Sequence, residues 1–239
     1  MKADTLKIGW CDHKAALYAV KNWHYSQSLP PPPLVRVGVW EAGEFIGCVL
    51  FGRGASSKLG GPYELNQTQC CELVRVALRK HTAPVTRIIK IALVFLKRNS
   101  PGLRLVVSFA DPAHGHIGGI YQGGNWIYAG KTHKDYKYID SKGREWHSRQ
   151  VSKTGVSKQY GQYRRAPKRS ECTKREVPGK FRYLMPLDKK MAAQVEHLRQ
   201  PYPKRGESID SDAPAVLAGE GGATPTSPLH DLPETGKKG

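Results

Sequence analysis

The stretch from Glu72 to Phe109 constrains this chain more than any other. Residues 72–78, ELVRVAL, are rich in β-formers, and Thr82 and Pro84 then make a helix start. Val85, Ile88, Ile89, Ala92 and Leu96 recur at helical spacing to about Arg98, and Leu103–Phe109 follows as a strand of the kind buried on both faces. A strand, an amphipathic helix and a second buried strand predict a right-handed parallel crossover, which places the chain among α/β folds. Period two puts Leu73, Arg75 and Ala77 on one face of the first strand, with Val74, Val76 and Leu78 on the other.

The flanking sequence adds compatible elements. Leu6–Trp10 reads as a strand, and Asp12 caps a helix over His13–Trp23 that carries Ala16, Leu17, Val20 and Trp23 on one side. Pro30–Pro33 ends any helix there. Leu34–Trp40 and Phe45–Phe51 form a hairpin through Glu41-Ala42-Gly43-Glu44, where glycine supplies a positive φ. After Phe109, Asp111-Pro112 opens a short helix through Tyr121, and Ile127–Gly130 and Tyr136–Ile139 give two more strands. The order β-α-β-β-β-α-β-α-β-β predicts a mixed central sheet flanked by helices, the order found in the acetyltransferase-like (GNAT) fold.

Charge divides the 239 residues. The chain carries 38 Lys and Arg against 20 Asp and Glu, a net charge of +18, which points to a polyanion as partner. Residues 1–130 contribute +8, residues 131–205 contribute +14, and the last 34 contribute −4. The basic segment also holds Tyr136, Tyr138, Trp146, Tyr160, Tyr163, Phe181, Tyr183 and Tyr202, a mixture that suits phosphates and stacked bases, although a solvated basic surface gives the same composition. The expected organisation is a catalytic core over 1–140, a basic DNA-binding extension over 141–205, and a disordered tail over 206–239 rich in Pro and Gly. No run approaches the ~20 apolar residues that span a bilayer, and no secretion signal precedes the first strand, so the expected location is the cytoplasm with no membrane partner. Five cysteines without C-x-x-C spacing argue for reduced thiols, with Cys70 and Cys71 in or near the core.

Several residues could carry chemistry. His24-Tyr25, where the first helix should end, sets an imidazole beside a phenol; either a structural role or acid/base and ligand roles fit. Asp111 follows the central strand, where α/β sheets place ligands, yet Asp before Pro is also a standard helix cap. His114 and His116 lie just beyond it, and a His, Tyr and carboxylate set with open positions would suit Fe(II) better than zinc. Ser108 and Tyr121 could line the same cleft, Tyr121 equally well packing in the core. Arg75 within an apolar strand must pair with Glu72 or Asp111, or else anchor a substrate or cofactor anion. The helix start from Arg79 to Arg87 could bind phosphate, but Arg79-Lys80-His81-Thr82-Ala83-Pro84 stands where most acetyltransferases have the glycine-rich cradle for the coenzyme A pyrophosphate.

DTLKIGWCDHKAALYAVKNWHYS, CCELVRVALRKH, PVTRIIKIAL and SFADPAHGHIGGIYQ together resemble the Mu-type Mom DNA-modification proteins of bacteriophages, over residues 1 to 130. The resemblance implies a GNAT-like fold and conversion of adenine in double-stranded phage DNA to N6-carbamoylmethyladenine, which shields the genome from host restriction endonucleases. It also implies iron held by His24, Tyr25 and Asp111, catalysis by these with Tyr121, and Arg75, Ser108 and Arg87 as cofactor-binding residues. Adenine N6 is paired in duplex DNA, so the base must be flipped or locally opened, with Trp23, Tyr25, Trp126 and Tyr128 as pocket candidates. Transfer of CH2-CONH2 is not acyl transfer from acetyl-CoA, and the donor stays open. So does the choice between a monomer and a homodimer. The alternatives are a conventional N-acetyltransferase acting on a protein or small amine, and a non-catalytic phage DNA-binding protein.

Overall fold

The protein, seen in a computed structural model, is described over residues 6–204 except Ala55, Arg149, Tyr160 and Gly161. The 206–239 tail and Tyr160 of the basic segment therefore lie outside the described residues. Strand β1 (Leu6–Trp10) leads to helix α1 (His13–Trp23), whose cap is Asp12, accepting from the Ala15 amide at 2.7 Å. Strands β2 (Leu34–Glu41) and β3 (Glu44–Gly52) turn through Ala42 and Gly43, both at positive φ. Strand β4 (Cys70–Leu78), helix α2 (Val85–Asn99) and β5 (Leu105–Ala110) form the expected parallel crossover. Helix α2 buries Ile88, Ile89, Ala92, Leu93 and Leu96, a stripe at i, i+3/i+4 spacing.

Beyond β5 the chain departs from expectation. Asp111 opens only a 3-10 turn over Pro112–His114, and α3 is a separate turn of helix at Gly119–Gln122. Gly115 and Gly118, both left-handed, break the helix between them. Gly118 has no substitute, because a Cβ there would stand 2.3 Å from the Tyr183 ring. Next come β6 (Ile127–Lys131), β7 (Asp135–Ile139), β8 (Glu145–His147), β9 (Val156–Gln159), β10 (Gln162–Arg165), β11 (Thr173–Val177), β12 (Phe181–Pro186) and helix α4 (Lys189–Val195).

The main sheet has seven strands in the order β1-β2-β3-β4-β5-β12-β6. Its helices lie on both faces: α2 packs on one with Val106 and Ala110, while α1 packs against Cys48, Leu50, Val74 and Ala77, and α4 against Leu105, Val107 and Leu184. This is the mixed, helix-flanked sheet that the sequence predicts. Two details correct the local reading. A β-bulge shifts the β3–β4 register opposite Leu50/Phe51, so Leu73 packs with Val76 and Leu78 on the α2 side and Val74 joins Ala77 on the α1 side. The strand at Tyr136–Ile139 does not extend the main sheet; as β7 it is the centre of a separate sheet, β11-β7-β8, while β9 and β10 pair only with each other.

Strand β12 is inserted between β5 and β6, antiparallel to both. Residues 141–205 thus supply one strand of the main sheet. The segment between β6 and β12 leaves and returns at one place, where Thr132 N–H donates to the Lys180 carbonyl at 2.8 Å and Lys180 N–H donates to Thr132 Oγ1 at 2.8 Å. Gly179 makes the close crossing: a Cβ there would sit 1.8 Å from the Thr132 carbonyl oxygen. Among the described residues, no helix is long and apolar enough to cross a membrane.

Candidate active site

Helix α1 stops at His24, whose backbone is extended (φ −120°, ψ 136°), and this break lets two consecutive side chains stack, the His24 and Tyr25 rings lying 4.3 Å apart. From the loop after β5, His114 and His116 bring their rings to 4.8 and 5.1 Å from Tyr25. Tyr25 remains 53% exposed, so one phenol ring with three imidazoles around it faces solvent. That loop is held from below, where the Tyr183 hydroxyl donates to the Ile117 carbonyl and Gln122 Nε2 donates to Tyr183 at 3.1 Å.

Beneath the rings lies buried charge. Arg75 on β4 is 5% exposed; its Nη1 donates to the Val74 carbonyl at 2.7 Å, while Nε and Nη2 are buried without a hydrogen-bond partner. Burial lowers the Arg75 pKa, opposed by Tyr25, Glu72 and Tyr121. Two unmet guanidinium donors cost several kcal/mol together unless a bound group accepts them (about 1–3 each). Lys180, immediately before β12, brings Nζ to 3.8 Å from Asp111 Oδ2. Burial also lowers its pKa, with Asp111 and Glu72 opposing. Asp111 caps its 3-10 turn through the Ala113 amide at 3.0 Å, so the cap and cleft roles coexist.

His24 is held neutral. Burial, with Arg75 and the two neighbouring imidazoles, lowers its pKa to about 3. Its Nδ1 accepts from the Ser26 amide at 3.1 Å, which leaves the proton on Nε2 and makes that atom a donor. Partial burial raises the Tyr25 pKa, so its ring carries a neutral phenol at pH 7. With the proton moved to Nδ1, where Ser26 Oγ lies 2.8 Å away to accept it, Nε2 would offer its lone pair to a metal. Among the described residues no three His, Cys, Asp or Glu side chains group as metal ligands.

The remaining candidates separate. Tyr121 is 7% exposed, with its ring 5.0 Å from Trp126 and 5.1 Å from Tyr183. Ser108 Oγ lies 2.8 Å from the Leu73 carbonyl and 2.7 Å from the Tyr121 hydroxyl. The carbonyl can only accept, so Ser108 donates to it and Tyr121 donates to Ser108. Burial raises the Tyr121 pKa, and Ser108 and Tyr121 form a packed, hydrogen-bonded pair in the core. Trp126 and Tyr128 are buried, 1% and 6% exposed, Trp23 at the end of α1 packs against Tyr18 and Phe45, and Tyr25 has the most exposed ring of the four. Arg87 stands exposed on the first turn of α2. Lys180 is the residue that sequence reasoning misses, because a lysine within a strongly basic segment carries no local signal.

The basic segment forms its own surface. Lys174 Nζ sits 3.5 Å from the Tyr136 ring centre, Arg144 covers Trp146 at 5.4 Å, Arg169 covers Tyr138 at 5.8 Å, and Lys131 covers Phe181 at 5.5 Å. These rings carry the protein's own cations, and Tyr183 is buried. Tyr163 on β10 is 74% exposed, beside Arg164 and Arg165.

Among solved structures, the chain is similar to aminoglycoside acetyltransferase AAC(6')-Ib in complex with coenzyme A and kanamycin, at 9% identity and TM-score 0.45, covering 80% of this chain and 99% of that one. It is also similar to spermidine/spermine N-acetyltransferase SpeG from Vibrio cholerae, at 10% identity and TM-score 0.40, covering 81% and 95%. No curated protein matches in sequence. The model of the Mom protein family matches residues 5–204, which takes in β1 to α4, all three sheets and every residue of the ring cluster. This chain belongs to the Mom protein family.

Proposed function

We propose that this protein is a DNA-modifying transferase that converts adenine in phage DNA to N6-carbamoylmethyladenine, protecting it from host restriction endonucleases. The observation that carries the reading is the half-exposed Tyr25 ring, framed by imidazoles, above the unmet donors of buried Arg75. A flipped purine needs an accessible ring face to stack on, and Tyr25 supplies one. Arg75 Nε and Nη2 are suited to an oxygen of the transferred amide, and His24 Nε2–H adds a neutral donor. As the CH2 carbon of the donor bonds to N6, its bond to the donor's leaving group breaks and that group departs with the electron pair, while N6 sheds one proton to the Asp111 carboxylate beside Lys180.

Duplex DNA is held, in this reading, by the basic sheet β11-β7-β8 and the β9–β10 hairpin, a two-stranded ribbon of a size that major grooves admit.

Nucleosides from plasmid DNA of expressing cells, analysed by mass spectrometry, test the proposal. Wild type should yield a deoxyadenosine heavier by a carbamoylmethyl unit. Asp111→Ala and Arg75→Ala, folded and expressed to the same level, should yield none. Unmodified DNA from wild type would overturn the reading, and full modification by both variants would move the site elsewhere.

A further inference from the structure

Two amides just ahead of α2 are already in use. Glu41, the last residue of β2, accepts from the Thr82 amide at 2.9 Å and the Ala83 amide at 2.7 Å, one with each carboxylate oxygen. Its placement is built into the hairpin: the left-handed turn at Ala42 (φ 52°) and Gly43 (φ 85°) pairs Glu41 with Glu44 across the ladder, and Glu44 forms an ion pair with Arg79. Both carboxylates thereby lean on residues 79–83. The two amide bonds hold the Glu41 pKa below the usual carboxylate range, so it is an anion at neutral pH. The next residue, Pro84, has no N–H to offer.

We propose that Glu41 is an internal substitute for a bound anion, closing in this chain the position where the fold would seat a coenzyme's pyrophosphate, so that the group donor is not recognised through a diphosphate at α2. A phosphate and a carboxylate compete for the same two donors, and the tethered carboxylate is present at a far higher effective concentration than any free ligand. Coenzyme A therefore does not fit these residues as they stand. The donor class left by this arrangement is a small molecule bound through its amide or carboxylate, at the Arg75 end of the sheet. That assignment rests on the transferase reading above; the closure at α2 does not.

Titration calorimetry of the full chain with coenzyme A, and separately with inorganic pyrophosphate, tests the closure without turnover. Wild type should bind neither more tightly than about 1 mM. Glu41→Ala should gain at least about tenfold, with a gain that shrinks as salt rises. Glu41→Gln, which keeps the side chain's size and one acceptor, supplies the same comparison should the alanine variant fold poorly. Micromolar binding by wild type would overturn the proposal, and so would a folded variant that gains nothing. Neither outcome bears on the nucleoside masses, so failure here and failure of the DNA-modification reading are told apart.

Discussion

The seven-stranded sheet and the basic β11-β7-β8 sheet are held together by different forces. In the first, Leu105, Val107 and Leu184 are fully buried, and helices on both faces exclude water. In the second, Tyr138 is 9% exposed, and order comes from charge: Glu145 pairs with Lys137 at 2.7 Å and with Arg175, Lys134 with Glu176 at 3.0 Å, and Asp140 with Arg144 at 2.8 Å. One region is an apolar solid with a few charges sunk into it. The other is a lattice of charges laid over a few rings, and it offers a polyanion many cations without a deep core to disturb.

The largest effect should come from the apolar region. Leu184→Ala should lower global stability by about 2–5 kcal/mol, read from denaturant melts, and a cost below 1 kcal/mol would mean that β12 is dispensable to the core. Arg164→Ala with Arg165→Ala should leave that melt unchanged while reducing the slope of log K against log salt for duplex DNA by about 2. An unchanged slope would remove the hairpin from the DNA-holding surface.

Acid should separate the regions next. Burial alone would raise the Asp140 pKa, but donors from Trp146, Arg144 and Lys142 outweigh it and bring the group to about 2. A carboxyl lowered in the folded state adds stability above its unfolded pKa, and this is lost as pH falls through the folded value. The Trp146 surroundings should therefore loosen between about pH 4 and pH 2, reported by tryptophan fluorescence, and Asp140→Asn should abolish that transition. The smallest effect is expected from Glu145→Gln, a few tenths of a kcal/mol at most, because both its pairs are exposed. Raising salt should speed amide exchange in β7, β8 and β11 and leave β5 unaffected.

The same contrast explains what was legible in sequence. Helix α1, the β2–β3 hairpin and the β4–α2–β5 crossover are local or nearly so, and periodicity marks them. Strand β12 is not local: its partners lie about fifty to eighty residues earlier, and FRYLMP, bracketed by lysines, reads as part of a basic run. The site inherits this blind spot. His24, Tyr25, Arg75 and Asp111 are visible as residue types out of place, but Lys180 reaches Asp111 only because Phe181 pairs with Ala110. The β4 bulge was equally hidden, since one extra residue leaves no mark on composition.

The paired exit and return at Thr132 and Lys180 has a consequence for how such a protein changes over generations. Everything between them hangs from the catalytic sheet by two adjacent threads, stitched to each other by two hydrogen bonds. A segment attached in that way can be lengthened, shortened or exchanged without altering the register of β6 against β12. Lineages can thus revise the inserted segment while the strands beneath Tyr25 are inherited intact.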